Sequence, residues 1–498
     1  MDLSGPLRRG AFSRPHLLLV VAPTEVQARL AVERYARERG WPVARTAADA
    51  DVLVVVGRPV AGLGDVVAVL ERQIPAPWVR VDVTGPAGVS EALDPLPERL
   101  SAWTPTGEDA QRDTAHETAA MTRPGRRGGD AMNGHHDHSV EASDQPHAGH
   151  DLAGSGGHGM AEADGHAGHD MAGSGGHAGH DVAGHEGHDD RGGAGPADDL
   201  GDGGGHQMGV HDMRSHQMGG HDMGGHDMDG HGHDDMGVVA GLPMAGRAPD
   251  RDGLKLDVLH VPFGPVLPHW PAGLRVSLAV QGDVVQEASV RALGIADDGS
   301  VPFWDEPALR ALAGASVAAG EVARRRAASH LDSLARLLGV AGWDGPAVRC
   351  AVLRDRTLAG EPTGPLAAAF RPLVRRVVRS RVLRRMTIGV GEADAATADR
   401  AGISGPAAIT AGDVWARLVR WVRSVEEDLA RLDDRSPAAD VEGPRGPLDG
   451  PDPPSAVLLD VLPGLLVGAE LAAVRLIVAS LDPDLAELAL RSTVTAGG

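Results

Sequence analysis

From Pro105 to Asp250 the chain contains no Phe, Trp or Tyr, no Ile and three Leu, while Gly, His and Asp dominate. Such a stretch cannot bury enough apolar surface to offset the conformational entropy lost on folding. Residues 105–250 are therefore expected to form a disordered linker between an N-terminal domain, residues 1–104, and a C-terminal domain, residues 251–498. The linker also accounts for the charge: its 26 Asp and Glu against 7 Arg give −19 of the chain's −22. An acidic linker repels nucleic acid, and neither flank shows clustered Lys with interleaved aromatics, so no nucleic-acid partner is expected.

The linker is repetitive. Ala148 to His158 recurs as Ala167 to His177, and His-Asp-Met appears at His169, His211, His221 and His226. Repeats this short cannot stack into a solenoid, but they multiply ligands. Twenty of the 24 His lie between His116 and His233. Imidazole, Asp oxygen and Met sulfur together suit nickel, zinc, copper or cobalt. The candidate divalent-metal ligands are His150, Asp151, His158, His169, Asp170, Met171, His177, His180, His185, His188, His211, His221, His226, His231 and His233.

The one cysteine, Cys350, excludes a disulfide and any all-cysteine metal site within the chain, hence an iron–sulfur cluster of its own. Following the strand-like Val348, it is expected to be a buried small hydrophobe. No run is long and apolar enough to span a bilayer. The chain is expected in the cytoplasm, at most peripheral on the cytoplasmic face of a membrane.

In the N-terminal part His16 to Ala22 reads as a strand, Val26 to Arg39 as a helix, Val43 to Arg45 as a second strand, Asp51 to Val56 as a strand, Val66 to Arg72 as a helix and Trp78 to Val83 as a strand. Continuous apolar strands separated by helices predict a small parallel sheet covered on both faces. Gly57 and the turn Pro23 to Glu25 lack the glycine spacing and the lysine of a phosphate cradle. In the C-terminal part strands are expected over Leu256–Val261, Leu274–Val280 and Val284–Glu287. Helices should follow: one from about Val317 carrying Leu331, Leu334 and Leu338, one with Leu373, Val377 and Val378, one from Trp415 to Leu432, and one over Gly464–Ser480.

Four patches of this C-terminal part resemble the large subunit of membrane-bound [NiFe] hydrogenases and its homologue, the quinone-site subunit of respiratory complex I. Val261-Pro-Phe-Gly264-Pro265-Val-Leu-Pro268 with Gly282-Asp-Val-Val285 resembles the family's opening hairpin. Glu321-Val-Ala-Arg324 and His330-Leu-Asp-Ser-Leu334 resemble its Glu-x-x-Arg…His-Leu helix. Ile388-Gly-Val-Gly391, Gly402-Ile-Ser-Gly-Pro406 and Gly412-Asp413-Val-Trp-Ala-Arg417 form a third patch. Glu442-Gly-Pro-Arg-Gly446 and Ser480-Leu-Asp482-Pro483 form the last. In the N-terminal part Asp51-Val-Leu-Val-Val-Val-Gly57 and Gln73-Ile-Pro-Ala-Pro-Trp-Val79 resemble the flavodoxin-like small subunit. The resemblance implies a flavodoxin-like α/β domain fused, through the His-rich linker, to a shortened, mainly α domain with a small β-sheet like the hydrogenase large subunit.

What the resemblance implies about chemistry is limited by the residues present. The family's first pair of nickel cysteines falls in a deletion between about Leu293 and Glu306, and Asp484 and Glu487 stand where the second pair would be, so no NiFe centre is expected. Leu267 stands where the quinone-binding His would be, His269 lies beside it, and the only tyrosine is Tyr35 in the other half. Gly264, Pro265, His269, Glu321, Arg324, His330, Asp413, Arg417, Asp482 and Glu487 are the family-equivalent structural positions; no catalytic residue is expected. His330 is expected in the core, Glu321 and Arg324 as an ion pair, and His260 and His269 flanking the hairpin. Seven Arg between Arg371 and Arg385 read as a solvated face or a dock for an acidic partner, including the linker.

These readings make the chain a non-redox accessory or docking subunit of a complex I-like membrane assembly (NADH–quinone oxidoreductase or hydrogenase related), partnered by antiporter-like subunits. The alternatives are a cytosolic nickel, zinc or copper storage protein or metallochaperone, and a genuine NADH–quinone oxidoreductase-type subunit.

Overall fold

A computed structural model describes residues 10–104, 246–249 and 255–490, apart from short stretches at 61, 296–298, 395, 397–401, 408–411 and 440–441. The linker's metal-ligand candidates, His150 to His233, lie outside the described residues.

Strands β1 (Leu17–Val21), β2 (Val52–Val56) and β3 (Val79–Val83) form a parallel sheet in the order β1-β2-β3. Helix α1 (Val26–Arg39) connects the first two and α2 (Leu63–Gln73) the last two. Side chains alternate across a strand, so Leu17, Val52, Val54, Val56 and Val81 meet Ala28, Val32 and Tyr35, while Leu18, Val20, Leu53 and Val55 meet Leu63, Val67 and Ile74. β1 and β2 are covered on both faces and are continuous apolar runs, whereas β3 at the edge alternates, with Arg80 and Asp82 exposed, and departs from the expected continuous pattern. Short helices α3 (Val89–Leu93) and α4 (Leu96–Ser101) close this part. Val43 to Arg45, expected as a strand, supplies only a single bridge from Val43 to Leu17, because Pro42 and the exposed Val43 leave no ladder to extend. Where a phosphate would approach, Gly57 faces the Glu25 side chain so closely that a Cβ would lie 2.3 Å from Glu25 Cγ.

The second sheet is antiparallel, β4 (Gly246–Pro249), β5 (Lys255–Phe263), β6 (Leu274–Gln281) and β7 (Val284–Ala292) in sequence order. Strand β4 lies within the stretch assigned to the linker from its composition. Its four residues, Gly-Arg-Ala-Pro, carry no periodicity, and only pairing with β5 identifies them as a strand. Inward-facing Leu274, Val276, Leu278 and Val280 pack with residues of two C-terminal helices, among them Leu458, Leu462, Val474 and Ile477.

The helical body begins with α5 (Glu306–Leu312) and continues through α6 (Ala319–Val340), α7 (Asp344–Leu358), α8 (Thr363–Val378), α9 (Arg381–Thr387) and α10 (Val414–Leu429). Leu331, Leu334 and Leu338 of α6, Phe370, Leu373 and Val377 of α8 and Leu418, Val422, Val425 and Leu429 of α10 share one core. Val378, grouped with them from the sequence, is exposed instead. Cys350 is buried as expected, but it sits in α7 with Val348 helical and half exposed, so the strand reading there was wrong. A run of isolated apolar residues carries no period with which to tell the two apart. The single helix expected over Gly464–Ser480 is two, α11 (Pro454–Leu466) and α12 (Leu471–Leu481), divided at Gly468 with φ +82°.

The α/β part packs directly on the helical body. Val26 and Leu30 of α1 are buried with Trp304 and Ala328.

Candidate functional site

Along this seam α1 faces α6 and α7 through charges rather than more leucines. Arg29 Nη2 donates to Asp332 Oδ2 at 2.7 Å and Arg29 Nη1 to Glu33 Oε1 at 2.6 Å. Arg354 Nη1 bridges Asp332 and Glu33, and Arg37 pairs with Asp355. Arg336, one turn after Asp332, reaches Asp332 Oδ2 at 3.0 Å and Asp482 Oδ1 at 2.7 Å. Asp482 also accepts from Ser333 Oγ at 2.7 Å and from Arg445 Nη2 at 3.0 Å, and its carbonyl accepts from Arg445 Nε at 2.6 Å. The result is one ladder of alternating charge running from the α/β part into the core of the helical body.

Burial alone would push the Asp332 carboxyl up, but the guanidiniums of Arg29, Arg336 and Arg354 hold it far below the usual carboxylate range. Burial likewise opposes ionisation of Glu33, and Arg29 and Arg354 outweigh it. Three guanidiniums around one aspartate keep each charge satisfied where an unpaired one would be costly.

The inner end of the ladder behaves in the opposite way. Asp305, Asp484 and Glu487 are buried around Arg445, whose nearest approach to Glu487 is 4.0 Å. Burial first, then the neighbouring charges of Glu487 and Asp484, push Asp305 well above its ordinary value. Burial outweighs Arg445 and raises Glu487 to about 7. Both oxygens of Asp305, Oδ2 of Asp484 and Oε1 of Glu487 find no hydrogen-bond partner among the described residues. Acids in this position are best accommodated with a proton. Among the described residues no group of three or more His, Cys, Asp or Glu has the arrangement of a metal site. A buried guanidinium in the midst of these carboxylates fills the role a cation would otherwise take.

Beside the ladder lies a cavity of about 420 Å³ between the two parts. Leu18, Val21, Trp41, Val266, Leu267 and Ala347 contribute apolar wall, and Arg29, Glu33, Arg336 and Arg354 a charged one. The hairpin loop is held over it by Arg475, which donates to Pro268 O at 2.7 Å, and by Trp270 Nε1 donating to Leu274 O at 2.7 Å. Gly264 is obligatory in that loop, since with φ +74° a Cβ would lie 2.2 Å from Leu274 O. His269, with φ +60°, opens into the cavity and turns its ring onto Gly339, where a Cβ would be 2.4 Å from Nε2. Burial against these neighbours lowers the His269 pKa, with Arg475 and Arg336 adding to the effect and Glu33 opposing it.

The other positions singled out by the resemblance make contacts within the fold. Arg417 is fully buried and donates to Ser480 Oγ, Gly412 O and Gly391 O at 2.8 to 3.0 Å; burial lowers its pKa to about 10. Asp413 caps α10 through Ala416 N and also accepts from Gly389 N, each at 2.7 Å. His330 is a core residue as expected, with Nε2 3.2 Å from Pro444 O; burial, reinforced by Arg326 and Arg445, keeps it neutral. Glu321 and Arg324 do not pair. Glu321 reaches Arg310, while Arg324 donates to the carbonyls of Thr357 and Glu361 at the end of α7, because the two side chains leave α6 toward different neighbours. Tyr35 is in the α/β core, bonded to Asp94, and does not line the cavity. His260 is exposed on β5, on a face separate from the cavity.

The sequence reading singled out Asp482 and Glu487 but missed Arg29, Glu33, Asp305, Arg336 and Arg354. At Arg29 and Glu33 the one local signal is an Arg and a Glu one turn apart, a spacing that an exposed i,i+4 pair shares.

No family model matches the chain, and no curated protein matches it. Among solved structures, one chain of a membrane-bound sulfane sulfur reductase, an archaeal respiratory membrane complex, is similar at 16% identity and TM-score 0.37. The similarity covers 46% of this chain and 98% of that one.

Proposed function

We propose that the protein is a non-redox subunit of a complex I-like membrane assembly, using surfaces inherited from an electron-transfer ancestor to dock antiporter-like membrane subunits. One observation carries the reading. Patches resembling the hydrogenase and quinone-site subunit, scattered from residue 261 to residue 487, converge in space: Arg475 holds Pro268, His330 meets Pro444, Arg445 clasps Asp482, and Arg417 joins Gly391, Gly412 and Ser480. The place where metal thiolates would stand is occupied by Asp484 and Glu487 around Arg445. Carboxylates and a guanidinium cannot carry electrons between cofactors, so what survives is a scaffold. In this reading the His-rich segment is a separate device that binds nickel, zinc, copper or cobalt, with affinity falling below about pH 6.5 as imidazoles protonate.

Affinity purification from detergent-solubilised membranes tests the docking role. Multi-spanning antiporter-like subunits should accompany the chain; recovery only from the soluble fraction, without them, defeats it. Calorimetric titration of Ni(II), Zn(II) and Cu(II) tests the linker, because uptake should vanish when residues 105–245 are deleted.

The cavity favours a second reading compatible with the first, in which a ring-shaped amphipathic molecule such as a quinone is held without being reduced. A volume of about 420 Å³, apolar walls and a few convergent polar groups are typical of small-molecule sites. Quenching of Trp41 fluorescence by a short-chain quinone, lost in Gly339→Leu, would support it; no quenching at saturating quinone would exclude it.

A further inference from the structure

Between Pro362 and Gly391 the chain has no acidic residue and seven arginines, Arg371, Arg375, Arg376, Arg379, Arg381, Arg384 and Arg385. All seven are exposed on α8, α9 and the turn between them, and none forms an ion pair among the described residues. In the seam, by contrast, Arg29, Arg336 and Arg354 each meet a carboxylate. A solvated face would pair each charge with water and place polar residues between. Here the residues between are aliphatic and outward: Val382 is 63% exposed, Ile388 50%, Met386 42% and Val378 38%. Val382 and Met386 lie one turn apart on α9, with Val378 at the end of α8 and Ile388 just after α9, whose start Ser380 caps through Leu383 N.

We infer that this face is a docking surface for an anionic lipid bilayer, the arginines meeting headgroup phosphates and carboxylates while Val378, Val382, Met386 and Ile388 enter the shallow acyl boundary. Two halves of the patch must be satisfied at once. Charge complementarity alone would admit the chain's own acidic segment, but that segment has no aromatic residue and no Ile, and its Met, Val and Leu are scattered among Gly, His and Asp rather than gathered into an apolar face that would cover these aliphatic residues. A nucleic acid would need exposed rings to stack on; the only aromatic side chain between residues 362 and 391 is Phe370, which is buried in the helical core. A membrane surface supplies negative charge and apolar depth together. With no helix among the described residues long and apolar enough to cross a bilayer, the contact is peripheral. The inference does not rest on the assembly reading, since the chain alone would show it.

The test is co-sedimentation of the purified full chain with vesicles of phosphatidylcholine alone or with roughly one-third phosphatidylserine. The chain should partition at least about tenfold more strongly onto the anionic vesicles, and high salt should reduce the excess. Arg381→Glu/Arg384→Glu/Arg385→Glu should abolish the excess, and Val382→Ser/Ile388→Ser should lower it by about tenfold, for loss of buried aliphatic surface. All five positions are exposed, so thermal unfolding should be unchanged, which separates loss of binding from loss of fold. Equal binding to both vesicles, or none to either, overturns the inference. So does loss with the charge reversals but none with the serine variant, an outcome that would assign the patch to a purely acidic protein surface instead.

Discussion

Arg445 stands where two opposite pH responses meet. On one side its guanidinium and those of Arg336 and Arg29 pair with Asp482 and Asp332, and Asp332 is held charged; on the other, burial pushes Glu487 and Asp305 toward their protonated forms. Because the folded pKa of Glu487 is raised to about 7 from an ordinary 4.5, its contribution to stability is full below about pH 4.5 and is lost as pH rises through about 7. Glu487→Gln keeps an acceptor for Ser455 N and removes the ionisation. The variant should match wild type near pH 4.5 and be more stable by about 3 kcal/mol at pH 8, read by chemical denaturation. A pH-independent difference would show that the carboxylate is ionised throughout. Asp332→Asn should cost about 3–5 kcal/mol near neutral pH, because three buried guanidiniums lose their shared anion. Of this network the sequence displayed Asp482 and Glu487 through their motif, and Arg445 within another. Asp305, Arg29 and Arg354 could not be read, since nothing local distinguishes a buried charge from an exposed one until the partner element is in place.

Elements were legible in proportion to their periodicity. Helix α10 shows a clean 3.6-residue stripe from Val414 to Leu429, against an expectation of Trp415 to Leu432; β1 and β2 are legible as unbroken apolar runs and β3 as an alternating one. The helix expected over Gly464–Ser480 takes in the end of α11 and nearly all of α12 but leaves out Pro454 to Pro463, because these sequences are apolar on nearly every side and no phase change marks a start or a break. Strand β4 was invisible for the opposite reason: four residues without pattern become a strand only through β5. Asp413 shows what one residue does for an element. It caps α10 and holds Gly389 N–H, so Asp413→Ala should lower stability by about 1–2 kcal/mol, with the loss seen as faster amide exchange at Ala416 and Gly389. Protection unchanged at both amides would contradict that role. Gly339→Ala places a methyl against the His269 ring and should cost about 1–3 kcal/mol by overpacking, measured as a lower denaturation midpoint.

For the whole molecule the question is what a scaffold of two packed parts is for. The α/β and helical parts are locked together by Val26, Leu30 and Trp304 and by the Arg29–Asp332 and Glu33–Arg354 pairs. Apolar patterning foretold a parallel α/β part and a mainly helical part with a small sheet; that the two would meet over a charged seam and a cavity was not readable, because the seam joins residues some 300 positions apart. The central claim is that this scaffold transfers no electrons. Electron paramagnetic resonance of the anaerobically purified, dithionite-reduced full chain, with iron quantified on the same sample, tests it directly. The account predicts no iron–sulfur or nickel–iron signal; a cluster signal stoichiometric with the chain would contradict it.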